Sequence, residues 1–472
     1  MAAITHDLRE GPVKKVTLFY SLLTLAVLAV AGVWANELFL EPKKETFLIG
    51  ETTHGHHQIE LACATCHQSP FGGDDLLQDA CVGCHGAELK QAQDSHPKSK
   101  FTDPRNADRL AQIDARYCVA CHREHRPRIT RDMGVTLATD YCIACHEDIA
   151  EDRPSHEGMA FDTCASAGCH NYHDNRALYE DFLTQHAGEP PLHPQPVLAA
   201  MQAYLEYPAA TPAPPPADYP LTSDAAEQAH QQWLHSAHAN PDSNCSACHG
   251  TGESFTEQPD ALVCIDCHQP QAAGFLRGKH GMRLAVRRQA EESFPLNQAL
   301  QPLMDPNQRL LTPMTPAQGR LPFKTEVAHT ELTCNSCHGA HDYQLGLAAA
   351  VDACLGCHDD EHSRQYQGSP HHQLALKAAA GELSPGSGVT CASCHMPKVD
   401  HPHEAGRFVT EHNQNATLRP NEKMLRPVCL DCHGLQFAQD ALADPALIHN
   451  NFSGQPRVAI DSINMAKERA KE

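Results

Sequence analysis

Cys63-Ala64-Thr65-Cys66-His67 decides the fold, because the chain repeats its pattern from there onward. A Cys, two residues, a second Cys and an immediate His recur at Cys81, Cys84 and His85; at Cys118, Cys121 and His122; and at Cys142, Cys145 and His146. The pattern continues at Cys245, Cys248 and His249; Cys264, Cys267 and His268; and Cys334, Cys337 and His338. It ends at Cys354, Cys357 and His358; Cys391, Cys394 and His395; and Cys429, Cys432 and His433. Cys164, Cys169 and His170 form a wider copy, with four residues between the cysteines. All 22 cysteines are used in this way.

Two thiolates at i and i+3 can add to the two vinyl groups of one porphyrin. The next residue then places an imidazole under the iron. The pattern therefore reads as covalent attachment of haem c. A disulfide framework or structural zinc also pairs cysteines. Neither requires a His directly after the second Cys eleven times. The small residues between Cys164 and Cys169 let the wide copy fold back to the same vinyl spacing. The expected cofactor is eleven covalently bound haems c, one per motif.

Each haem iron has a second axial position. Of 34 histidines, 23 lie outside the motifs, a surplus that suits bis-histidine ligation. His125, His173 and His341 each follow a motif His by three residues, and His54, His56 and His57 precede the first motif. His238 and His329 sit just upstream of theirs, and His96, His156, His280, His362, His371, His372, His403 and His412 fall in the gaps. Within His56/His57 and His371/His372 one ligand is expected from each pair, with His57 and His371 chosen. Bis-histidine ligation implies low-potential, low-spin haems that carry electrons without binding substrate.

The 472 residues are only 41% hydrophobic, with a mean hydropathy of −0.45, so side chains alone make a thin core. The porphyrins supply the missing apolar bulk, and folding is expected to depend on their attachment. A formal charge of −22 argues against a nucleic-acid partner, which needs clustered Lys and Arg. Between Val16 and Asn36 no residue is charged. At about 1.5 Å per residue that run spans about 31 Å, enough to cross a bilayer. Lys14 and Lys15 before it favour an inside N-terminus. Val33-Trp34-Ala35 also resembles a signal-peptide cleavage site. Both readings export the rest of the chain.

The expected fold is mostly α with extensive irregular loops and little β, cored by haem. Its order is a cytoplasmic N-terminus (1–15), a transmembrane anchor (16–36), a pentahaem module (37–186), a Pro-rich linker (187–222), a hexahaem module (223–440) and a helical tail (441–472). Within the linker, 197–207 suits a short helix, and 281–328, rich in Pro, reads as a loop or arm. Residues 457–471 suit a docking amphipathic helix.

With these residues in view, the exported part resembles multihaem cytochromes c. The first module, with HGHHQIELACATCH, CHREH and CASAGCH, resembles the class III cytochrome c3 type. The second carries Gly278-Lys279-His280-Gly281, Ser369-Pro370-His371, Cys394-His395-Met396-Pro397 and Thr410-Glu411-His412-Asn413, and is similar to octahaem cytochromes of the hydroxylamine oxidoreductase type. That likeness implies a mostly helical fold with paired haems. The crosslinking Tyr of those enzymes has no counterpart after Tyr366, and no motif ends in the Lys used by pentahaem nitrite reductases. The anchor followed by haem motifs also resembles quinol-oxidising tetrahaem cytochromes.

The function expected from sequence is therefore an electron-transfer protein, membrane-anchored on the periplasmic side of a bacterial inner membrane. It would carry electrons from quinol or a quinol-linked partner to a periplasmic or extracellular acceptor. Electrons are expected to enter at the haem of His67 or of His85. The alternative is an oxidoreductase of nitrogen or sulfur oxyanions with one open haem in the second module, served by Lys279, Arg283 or Lys398.

Overall fold

The computed structural model describes residues 11–39, 48–67, 73–159, 171–174, 180–194, 214–286, 312–384, 386–418 and 421–471. Cys164, Cys169 and His170, the segment 197–207 and most of the expected arm lie outside them.

The first described element is a helix, Gly11–Phe39. Its stretch Val16–Trp34 has a mean hydropathy of 2.2, buries nothing against the rest of the chain, and is long and apolar enough to cross a membrane. Beyond it the elements are short. Among the described residues the longest is Asp74–Ala92, which carries the motif of His85 and ends on Gln93 in a left-handed conformation. The frequent Pro, Gly and Asp between motifs break the backbone into single helical turns, many of them 3-10. Among the described residues one sheet forms, a hairpin of Lys398–Asp400 and Phe408–Thr410 with Val399 opposite Val409. The fold is thus mostly helical and irregular with little strand, as its composition indicates.

The hairpin positions a functional side chain, since His412 follows its second strand. The helix Gln269–Arg277 lies against the same stretch. Gly274 makes that approach possible: a Cβ there would stand 2.8 Å from His412 N and closer still to the Glu411 carboxylate.

Among the described residues one protein-only hydrophobic cluster is present. Leu183, Met424, Leu425, Leu435, Ala438, Leu442, Ile463 and Ala466 form it. The expected tail helix is Ser462–Arg469, and it docks through Ile463 and Ala466 against Glu180–Gln185 and the residues after the last motif. Leu435 is fully buried. Leu435→Ala is therefore expected to cost about 2–5 kcal/mol, read as a lowered urea midpoint of the C-terminal region.

The two haem-bearing regions touch. Arg283, buried, donates from Nη1 to Gln58 O (2.9 Å) and from Nε to Thr312 O (3.0 Å). Gln58 Nε2 reaches Met314 Sδ at 2.9 Å, and Lys279 Nζ donates to His54 O at 3.0 Å. Residues 187–194, the start of the Pro-rich stretch, run along the last motif: His193 N donates to Cys432 O (2.8 Å) and Leu435 N to Glu189 Oε2 (3.1 Å).

Candidate functional site

Each described motif is close to one helical turn. His67 N bonds Cys63 O at 2.8 Å, His122 N bonds Cys118 O at 2.8 Å, and His433 N bonds Cys429 O at 2.8 Å, all i to i−4 bonds. Cys245–His249 and Cys391–His395 are five-residue helices. In a helix, positions i, i+3 and i+4 share a face. Both thiols and the imidazole are therefore presented together, as attachment to one porphyrin demands.

Among the described residues, nine motif histidines each face one histidine from outside the motifs. The pairs are His85 with His56, His146 with His96, His122 with His173, His268 with His238, and His249 with His341. The others are His358 with His280, His338 with His412, His395 with His362, and His433 with His371. Ring centres lie 5.8–6.3 Å apart. Two imidazoles bound trans to one iron at about 2.0 Å each place their ring centres about 6 Å apart. Aromatic pairs of other kinds also occur at such distances. His54 with His57 and His401 with His403 are two here. Chance packing, however, does not pair a motif His with a non-motif His nine times without using one twice. The residues present fit the haem iron that the motifs imply.

The other ring nitrogen supports the same fit. A ligating imidazole usually donates its remaining N–H to a carbonyl or carboxylate, which fixes the tautomer. His122 Nδ1 donates to Gly134 O (3.1 Å), His249 to Thr256 O (2.7 Å), His338 to Gln344 O (2.9 Å) and His433 to Pro191 O (2.9 Å). Of the facing set, His412 donates to Thr410 O (2.8 Å), His56 to Glu124 Oε1 (2.7 Å) and His173 to Asp94 Oδ1 (3.1 Å). Burial, with a motif His close by, holds His280 and His371 down at about 4. Burial, with His362 and His358 near, does the same to His395. All three are neutral at pH 7, the form that binds metal.

Some expected residues stand elsewhere. His57 has Nδ1 on His54 O and Nε2 on Gln318 O, both at 3.0 Å, so His56 and not His57 faces a motif. His54 stacks on His57. His329 is exposed, and no motif His faces it among the described residues. His125 donates Nδ1 to Gly50 O at 2.7 Å, which leaves Nε2 as an acceptor, and His156 ends the turn Pro154–His156. Lys279, Arg283 and Lys398, named above for an open haem, all make structural bonds, Lys398 to Thr410 Oγ1 at 2.5 Å. Sequence reasoning missed the carboxylates of Glu124 and Asp94, which lie far from their imidazoles along the chain.

The cysteines connect the sites in series. The thiols of Cys81 and Cys118, of Cys264 and Cys334, and of Cys354 and Cys391 lie close enough across motifs to perturb one another's ionisation. Cys66 lies within electrostatic reach of Cys84, Cys248 of Cys264, Cys337 of Cys354, and Cys429 of Cys394. Glu124 is held by three donors, with Thr53 N at 2.7 Å and Thr53 Oγ1 at 3.0 Å beside His56. Burial raises its carboxyl, but these hydrogen bonds outweigh that and hold it at about 2.

Residues 55–147 match the cytochrome c3 family. That match, with the motif geometry, makes this a multihaem c-type cytochrome that carries covalent haem c and transfers electrons. No curated protein and no solved structure matches the chain.

Proposed function

We propose that the chain is a membrane-anchored undecahaem electron conduit. The observation that carries this reading is the set of nine facing imidazole pairs. Two sites complete the count. His125 serves His67, because Glu124 beside it lies within electrostatic reach of Cys66. His156 serves His170, its nearest uncommitted neighbour in sequence. Bound haem iron supplies one-electron chemistry by cycling between ferric and ferrous states. The facing histidines would hold each haem from both sides and leave no open position for substrate. Thiol proximities set attachment sites side by side from Cys63 to Cys121, and again from Cys245 to Cys432.

Val16–Trp34 anchors this array in the inner membrane with the haem-bearing residues on the periplasmic side, near a quinol-linked donor or quinol itself. A periplasmic or extracellular redox protein accepts the electrons. Electron paramagnetic resonance of the oxidised full chain is expected to show low-spin haem only, and the intact mass is expected to carry eleven haems. A high-spin signal equal to one haem would replace this reading with an oxidoreductase that has one open iron.

A further inference from the structure

We propose that Glu124 sets the potential of the haem held between His56 and His85, keeping it low where the two haem-bearing regions meet. This rests on the bis-histidine reading above.

Four observations converge on Glu124. Its Oε1 accepts from His56 Nδ1 at 2.7 Å, whereas the imidazoles of His122, His249, His338, His412 and His433 donate to neutral backbone carbonyls. Asp94 on His173 is the one other carboxylate within hydrogen-bond distance of a facing-pair imidazole among the described residues, and its bond is longer, at 3.1 Å. Glu124 is fixed by Thr53 N and Thr53 Oγ1, and Thr53 is buried, so the carboxylate cannot swing away. On the opposite side of the same haem, Glu88 Oε2 stands 3.7 Å from His85 Nδ1.

A ligand imidazole that shares its proton with a full negative charge becomes a stronger donor to iron. It stabilises the ferric state more than a carbonyl-bonded imidazole does. Partial burial limits screening of that charge.

Position gives this tuning a use. Thr53 and His56 belong to the segment that packs on Lys279, Arg283 and Met314, next to His280. His85 and Glu88 lie within electrostatic reach of Lys423, and Glu88 also of Arg277. A low potential at this junction means an electron reaching it moves on rather than resting there.

The test is a redox titration of the full-length haem-loaded protein, followed by electron paramagnetic resonance. Glu124→Gln is expected to move the haem between His56 and His85 to higher midpoint potential and change its g values, with smaller shifts at the neighbouring haems of His67 and His122 and none elsewhere. Thr53→Val, which removes one hydrogen bond to the carboxylate but spares that to His56, is expected to leave the potential in place. Three results overturn the proposal: no shift in Glu124→Gln, an equal shift in Thr53→Val, or one haem turned high-spin in Glu124→Gln. The last would make Glu124 a holder of the ligand rather than a tuner. The underlying ligand reading is checked separately by His56→Ala, which fails it if no high-spin haem appears.

Discussion

His371→Ala is expected to turn one low-spin haem high-spin, and His372→Ala to leave the spectrum unchanged. The two residues are adjacent and chemically identical, so the difference is one of geometry alone. Ser369, fully buried, caps the helix Pro370–Ala379 by accepting from His372 N, and Pro370 occupies its first turn. The cap fixes the rotation of the helix. Successive side chains on it then diverge by about 100°. His371 is turned toward His433, with ring centres 6.3 Å apart, and burial keeps it neutral. His372 is turned the other way, with Nδ1 on Gln367 O at 2.7 Å and its ring on Tyr366. On the proposed bis-histidine reading, loss of His371 would remove an axial ligand that the fixed helix cannot replace from His372. Absorption and electron paramagnetic resonance of the oxidised variants decide it, and a high-spin haem in His372→Ala instead would reverse the assignment.

The same pair shows how far the sequence was legible. The motif count, the surplus of histidines and the apolar N-terminal run all lie on the surface of the sequence, because each is a local pattern. The partner of each motif is not local. His341 stands three residues after His338, yet it faces His249, while His338 faces His412 from beyond the hairpin. His173 follows His170 in sequence but faces His122. Such choices depend on how loops cross, and period and spacing carry no record of that. Which of His56 and His57 faces His85 depends on tertiary partners, Glu124 for one and Gln318 for the other. Gly274 was equally silent. A helix interior that tolerates glycine gives no hint that Glu411 and His412, just after a neighbouring strand, must pass within contact of it.

Lys279 and Arg283 carry the opposite lesson. A cation near a haem motif suggests chemistry, yet both reach back across the chain to carbonyls of residues 54 and 58. Their charge joins the two haem-bearing regions. Arg283 is buried, and burial lowers its pKa, a cost compensated by its fixed carbonyl partners. These bonds place the segment with His56 against the segment with His280, so the junction between regions brings together two imidazoles that each face a motif His.

Chain that has not received haem is expected to lack a folded first region. Among the described residues, the buried hydrophobic side chains begin at Leu183, and none lies in 48–159. What is buried there is polar: Thr52, Thr53, Gln58 and Ser95. Polar burial of this kind positions groups but supplies no apolar driving force. Ordering each backbone residue costs about 1–2 kcal/mol, and in this region only the porphyrins offer apolar area to offset it. The C-terminal region differs, because Leu425, Leu435, Leu442 and Ile463 pack on one another. Full-length protein made without haem attachment should therefore lose most of its far-ultraviolet helical signal outside the N-terminal helix. Limited proteolysis should cut 48–159 first and the residues around Leu435 last. A haem-free chain with native helix content and one cooperative unfolding transition would show that side chains alone suffice, and that the haems are passengers in the fold rather than its core.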